Sequence, residues 1–122
     1  METTSDYPQT PGRTTIAPGV LLTMTRLSAL AVPGVSRMGS APRTVGLLRK
    51  DTQQDDGVVL RVVDNTVYVD LYVVMKSDVS IRTVSHKVQS DVARTVAELV
   101  GMNVGGVNVH IEDIDYPEDP GS

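Results

Sequence analysis

The chain lacks cysteine, phenylalanine and tryptophan altogether, and its only aromatic residues are Tyr7, Tyr68, Tyr72 and Tyr116. Without cysteine there are no disulfides, thiolate metal sites or thiol nucleophiles, and a cysteine-held iron–sulfur carrier is excluded. Without the large aromatics, Val, Leu, Ile, Met and Ala must fill the core. Histidine is almost as scarce: His86 and His110 do not stand at ligand spacing, whereas a zinc site takes four N, S or O ligands. No apolar run nears the roughly 18 residues of a membrane span. The amino-terminal METTSDYPQTPGR has no basic start followed by an apolar block, so it does not read as a signal peptide. Nucleotide fingerprints (the P-loop and G-x-G-x-x-G) and the G-x-x-G loop of RNA-binding KH modules are also missing.

What is present is a 122-residue chain with a 40% apolar share, enough for one domain with a modest core. The net charge of −4 is unevenly placed. Glu2 and Asp6 lie near one end, and Asp113, Asp115, Glu118 and Asp119 near the other. All 11 Lys and Arg lie between. The end segments are rich in Pro, Thr, Ser, Gly and acids, and this composition buries little apolar area. The expected organisation is a disordered tail over 1–12, an α+β domain over 13–114, and a disordered acidic tail over 115–122. A soluble intracellular protein is the expectation.

Arg13 to Ile16 reads as a short extended lead-in. In the following IAPGVLLTMTRLSALAVPGV, Pro18 suits a first helical turn. Val20, Leu21, Met24, Leu27 and Ala31 follow helical spacing and are expected to form the core-facing side. Ala17 cannot cap, and Pro33-Gly34 ends the helix. Val35 to Met38 fits a short strand. Gly39 to Gly57 reads as a loop, with a helical turn around Val45, Leu47 and Leu48. Its basic residues Arg43, Arg49 and Lys50 are candidates for an anion contact. The acids Asp51, Asp55 and Asp56 follow too soon for a nucleic-acid patch.

Val58–Val63 and Thr66–Lys76 alternate around Asp64-Asn65, the pattern of a hairpin with a two-residue turn. That turn pairs Val62 with Val67, Leu60 with Val69, and Val58 with Leu71 on one face. It sets Arg61 against Tyr68 and Val59 against Asp70 on the other. A one-residue slip would mix the two sets. Asp78 or Ser80 caps a second helix, in which Ile81, Val84, Val88, Val92, Val96 and Leu99 line one side. Gly101 supplies its left-handed stop, and Met102 folds back on the last turn. Val104 to Ile111 is the last strand, with Gly105-Gly106 as a bulge or close approach. The fold class is α+β: a small mixed sheet of three to four strands built on the hairpin, with two helices packed on one face.

The opposite sheet face collects Arg61, Tyr68, Asp70, Tyr72, Asn108 and His110, with Val59, Val74 and Glu112 beside them. It is a candidate protein-contact face. Asp70 and His110 make a dyad if their strands are neighbours, but no nucleophile with an activator accompanies them. No catalytic residue, metal or cofactor is expected.

Four motifs carry a family resemblance: the IAPGV helix entry ending in VPGV, VYVDLY, VQSDV, and GMNVGGVNVHI. They resemble the bacterial alkaline-shock, or envelope-stress-response, protein family over about residues 13–114. Ala17, Gly19 and Val100 depart from its pattern. The resemblance implies a non-enzymatic cytoplasmic stress-response protein. It also implies a small membrane-anchored protein partner, peripheral placement at the inner membrane face, and self-assembly, without nucleic acid. It offers no catalytic residues to carry over. The alternative reading is a small ligand- or phosphate-binding module using the basic loop Arg43–Lys50, with Arg61.

Overall fold

The computed structural model describes residues 16–41 and 52–117. In chain order they form α1 (Pro18–Leu30), β1 (Val35–Met38), β2 (Thr52–Asp55), β3 (Val58–Val63), β4 (Thr66–Lys76), α2 (Ile81–Val100) and β5 (Asn103–Asp115). The architecture is α+β, with a mixed sheet and both helices on one of its faces.

β4 is the axis of the sheet. β5 runs parallel along one of its edges, from Thr66 opposite Asn103 to Lys76 opposite Asp115. A parallel neighbour needs a crossover connection, and α2 supplies it. β3 and β1 share the other edge end to end, both antiparallel: β3 pairs with Thr66 to Leu71, and β1 with Val73 to Met75. Where they meet, the Gly39 N–H donates to the Tyr72 carbonyl at 2.6 Å, and the Tyr72 N–H donates to the Gly57 carbonyl at 2.8 Å. Gly57 has φ 81°, and a Cβ there would stand 2.8 Å from the carbonyl oxygens of Gly39 and Tyr72. The junction therefore requires glycine.

The hairpin register is as expected, from Val58 opposite Leu71 to Val62 opposite Val67, with Arg61 opposite Tyr68 and Val59 opposite Asp70. Asp64 and Asn65 both have positive φ, 50° and 61°, as a type I′ turn demands. The strand count differs from expectation: among the described residues there are five strands, not three to four. β2 lies in the stretch read as a loop and joins β3 through Asp56-Gly57. TQQD has no apolar alternation to reveal it. The expected lead-in at 13–15 and the helical turn around Val45 lie outside the described residues.

α2 begins where the Ser80 Oγ accepts the Thr83 N–H. It ends at Gly101 (φ 66°), whose N–H donates to the Ala97 carbonyl. Val84, Val88, Val92 and Val96 are buried, and Ile81 at the first turn is exposed. The core joins them to Val58, Leu60, Val67, Val69, Leu71, Val73 and Met75.

α1 corrects the expectation more sharply. Its buried residues are Leu22, Thr25 and Ala29. Val20, Met24 and Leu27, expected to face the core, are exposed. Thr25 is tolerated inside because its hydroxyl donates to the Leu21 carbonyl at 2.8 Å. After the helix, Gly34 (φ 106°) leaves no room for a Cβ, which would meet Val84 Cγ2 at 2.6 Å.

β5 also extends further than expected. It continues through Asp115, past the domain boundary drawn at 114. The reason is a specific clasp: Asp115 accepts from the Ser36 hydroxyl at 2.6 Å and from Arg37 Nε at 3.2 Å.

Candidate functional site

Strand parity puts two rows of side chains next to each other on the sheet face away from the helices. Tyr68, Asp70 and Tyr72 come from β4, and Asn108 and His110 from β5, with Asp70 beside Asn108 and Tyr72 beside His110. Asp70 Oδ1 accepts from Asn108 Nδ2 at 3.2 Å and lies 3.0 Å from His110 Nε2. The His110 ring stacks on Tyr72, with centroids 4.4 Å apart and planes within 12°. One carboxylate thus orients two neighbouring side chains, and the aromatic stack restrains the imidazole. The Asp70 side chain is 19% exposed and that of His110 44%, so the cluster is a surface feature.

Two bulges in β5 shape this face. The register shifts between the partners of Val67 and Tyr68, and again between those of Val73 and Val74. At the first shift, Gly105 lets the Tyr68 ring lie against the β5 backbone, in space that a Cβ would occupy. Arg61 holds its guanidinium 5.1 Å from the centre of that same ring. At the second shift, Glu112 accepts the Ser40 N–H at 2.7 Å, from β5 to the segment after β1. The face is not uniformly open, because Val59 and Val74 on it are buried. Partial burial, followed by the negative charges of Asp70 and Glu112, pushes the Tyr72 hydroxyl above the ordinary tyrosine pKa. Tyr72 therefore remains a neutral hydrogen-bonding group into alkaline solution.

All six candidate residues of this face are brought together: Arg61 and Tyr68 form one pair, and Asp70, Tyr72, Asn108 and His110 one network. The Asp70–His110 dyad exists as geometry. Among the described residues, its partners are an amide and an aromatic ring, and neither is a nucleophile. No three His, Cys, Asp or Glu side chains among the described residues converge to hold a metal ion. Arg43, Arg49 and Lys50 lie outside the described residues. A hollow of about 260 Å³ at the hairpin end is lined by apolar side chains, among them Ile16, Leu21, Leu60, Val62 and Met102. Among the described residues, its lining includes no charged group to orient a phosphate.

Sequence reasoning missed the Ser36–Arg37–Asp115 clasp. It places hydroxyl and guanidinium donors on Asp115, which holds that carboxyl below the usual aspartate pKa. Only the parallel pairing of β5 with β4 brings Asp115 within reach of β1. The Tyr72–His110 stack escapes sequence reasoning for the same reason.

Among the described residues, no helix is long and apolar enough to cross a membrane. The alkaline shock protein family, described as having a cell envelope-related function, matches residues 6–116. The chain is 27% identical over 107 residues to the uncharacterized protein YqhY of Bacillus subtilis, covering 86% of this chain and 78% of that protein. It is 29% identical over 68 residues to the uncharacterized protein YloU of the same organism, covering 56% of each. Among solved structures, MamM-CTD superposes with a TM-score of 0.48 at 14% identity, covering 78% of this chain and 96% of that one. A likeness at that level assigns neither ligand nor partner.

Proposed function

The chain belongs to the alkaline shock protein family, which has a cell envelope-related function, and from that premise we propose that it is a non-enzymatic interaction module of the envelope stress response. It binds a membrane-associated protein through the face of Arg61, Tyr68, Asp70, Tyr72, Asn108 and His110, and it also associates with itself. This would place it peripherally at the inner face of the membrane.

The supporting observation is the ordering of that face. A half-exposed tyrosine stacked on a histidine, itself tied to a carboxylate, offers rigid amphipathic area at low entropic cost on binding. Such a plate suits recognition. Turnover would need a reacting group beside His110, and the network around it contains none among the described residues.

The test is affinity capture from detergent-solubilised membranes of the source cell, comparing wild type with Tyr72→Arg and Arg61→Glu. Both variants should keep the far-UV circular dichroism of the parent and lose the membrane-derived partner. If both capture every partner that the wild type captures, the face is not the contact surface.

A further inference from the structure

Several carboxylates of this chain have a cation of their own. Arg26 holds Asp56, Arg37 holds Asp115, and Lys87 and Arg94 hold Asp91. Asp70 differs. Among the described residues it pairs with no lysine or arginine, and its neighbour His110 is charged only when protonated. Its two donors, Asn108 Nδ2 and His110 Nε2, both converge on Oδ1. Among the described residues, no donor reaches Oδ2. Arg61 stands diagonal to Asp70 across the hairpin, yet its guanidinium lies by the Tyr68 ring instead. Glu112 accepts a neutral backbone N–H, so that bond leaves its charge uncompensated. The surroundings of Tyr72 are accordingly negative, and both Asp70 and Glu112 oppose the loss of its proton.

We propose that an arginine side chain of the membrane-associated partner fills this place, its guanidinium donating to Asp70 Oδ2 beside the Tyr72 ring. The inference rests on the reading that this face binds such a protein, and it names the chemistry of the contact. The Asp70 side chain is only 19% exposed. A charge-assisted hydrogen bond to a partly desolvated carboxylate is stronger than one at an open surface. Tyr68 and Tyr72 stand two residues to either side of Asp70 on β4, roughly 7 Å away along the strand. A planar guanidinium can donate to the carboxylate and lie against an aromatic ring at once, which a lysine ammonium does less well. Arg61 on the Tyr68 ring is an instance of that contact within this face. The source of the arginine follows from the partner's place. Segments of membrane proteins beside their spans on the inner side carry an excess of Lys and Arg. They would meet a face on which Asp70 and Glu112 lack a cation among the described residues. The same carboxylates oppose direct contact with anionic lipid headgroups, so the protein segment is the occupant.

NMR titration of the full chain with Nα-acetylarginine amide tests the chemistry. The Asn108 side-chain amide and the His110 ring should shift saturably, in the millimolar range. The citrulline analogue, an uncharged counterpart of the same shape, should give no saturable shift. Asp70→Asn keeps an oxygen that can accept from Asn108 and His110. It should weaken binding of the arginine analogue at least about tenfold, with unchanged circular dichroism. Asp91→Asn on α2 should leave that binding as it is. Phosphatidylcholine nanodiscs carrying a leucine helix test the source. The chain should bind them when the helix ends in arginines and not when it ends in glutamines. Equal shifts with citrulline, parental affinity in Asp70→Asn, or no binding to the arginine-ended helix would each overturn the proposal. In capture from membranes, Asp70→Asn should lose the partner as Tyr72→Arg does. Loss in Tyr72→Arg alone would leave the contact face standing and overturn its arginine recognition. Capture unchanged in both variants would overturn both readings.

Discussion

α1 and α2 lie on the same face of one sheet and present opposite chemistry to the outside. They touch through Ser28 and Thr95, whose hydroxyls are 3.1 Å apart. α2 packs four buried valines inward and exposes Arg82, His86, Lys87, Arg94 and Glu98. α1 buries one leucine, one threonine and one alanine, and exposes Val20, Met24 and Leu27. α2 has caps at both ends, whereas the Ala17 side chain makes no cap bond for α1. A helix rich in valine, a weak helix former, is thus secured by burial and caps. A helix with more apolar side chains than its own core uses is left with an apolar surface that the domain's own stability does not explain. The contrast separates residues that hold the fold from residues available to something outside it.

The largest expected effect tests that separation. Val92→Asp puts an unpaired charge beneath α2 and should cost more than about 4 kcal/mol, enough to lose the thermal transition. Leu27→Glu on the outer side of α1 should change stability by no more than about 0.5 kcal/mol in the same thermal melts. Equal losses would abolish the distinction between the helices. An intermediate effect concerns the caps. Ser80→Ala should destabilise by about 1 kcal/mol. Ala17→Asp should stabilise by about 0.5–1 kcal/mol, because Ala17 already has the extended backbone (φ −61°, ψ 141°) that a capping residue adopts. Chemical denaturation would show both, and a neutral Ala17→Asp would mean that the start of α1 does not limit stability. The smallest effect belongs to the Lys87–Asp91 pair on α2, at 3.1 Å and largely solvated on the lysine side. Lys87→Ala should cost less than about 0.5 kcal/mol. A larger loss would show that the charged coat of α2 is structural.

The legibility of the sequence follows the same division. Along β3 and β4, alternation combined with Asp64-Asn65 allows one register, because every slip exposes valines. The capped start of α2, its valine row and the Gly101 stop are readable for similar reasons. α1 misleads because Leu22, Thr25 and Ala29 are spaced as regularly as Val20, Met24 and Leu27. Periodicity finds the stripes of such a helix but cannot say which one is inside. The tie between Arg26 and Asp56 marks the inner flank, and it joins residues 30 apart in sequence. β2 escapes notice because Gln and Asp supply no apolar alternation, although Asp56-Gly57 is a hairpin signal. At the candidate site, alternation reveals which residues share a face. The Asp70–His110 contact depends on β4 and β5 being neighbours. The Tyr72–His110 stack and the Ser36–Asp115 bond depend on their parallel register.

The helices and the Tyr68–Tyr72 row occupy opposite sides of the β4-centred sheet. A contact made at one of these surfaces leaves the other uncovered, because the sheet and the core lie between them.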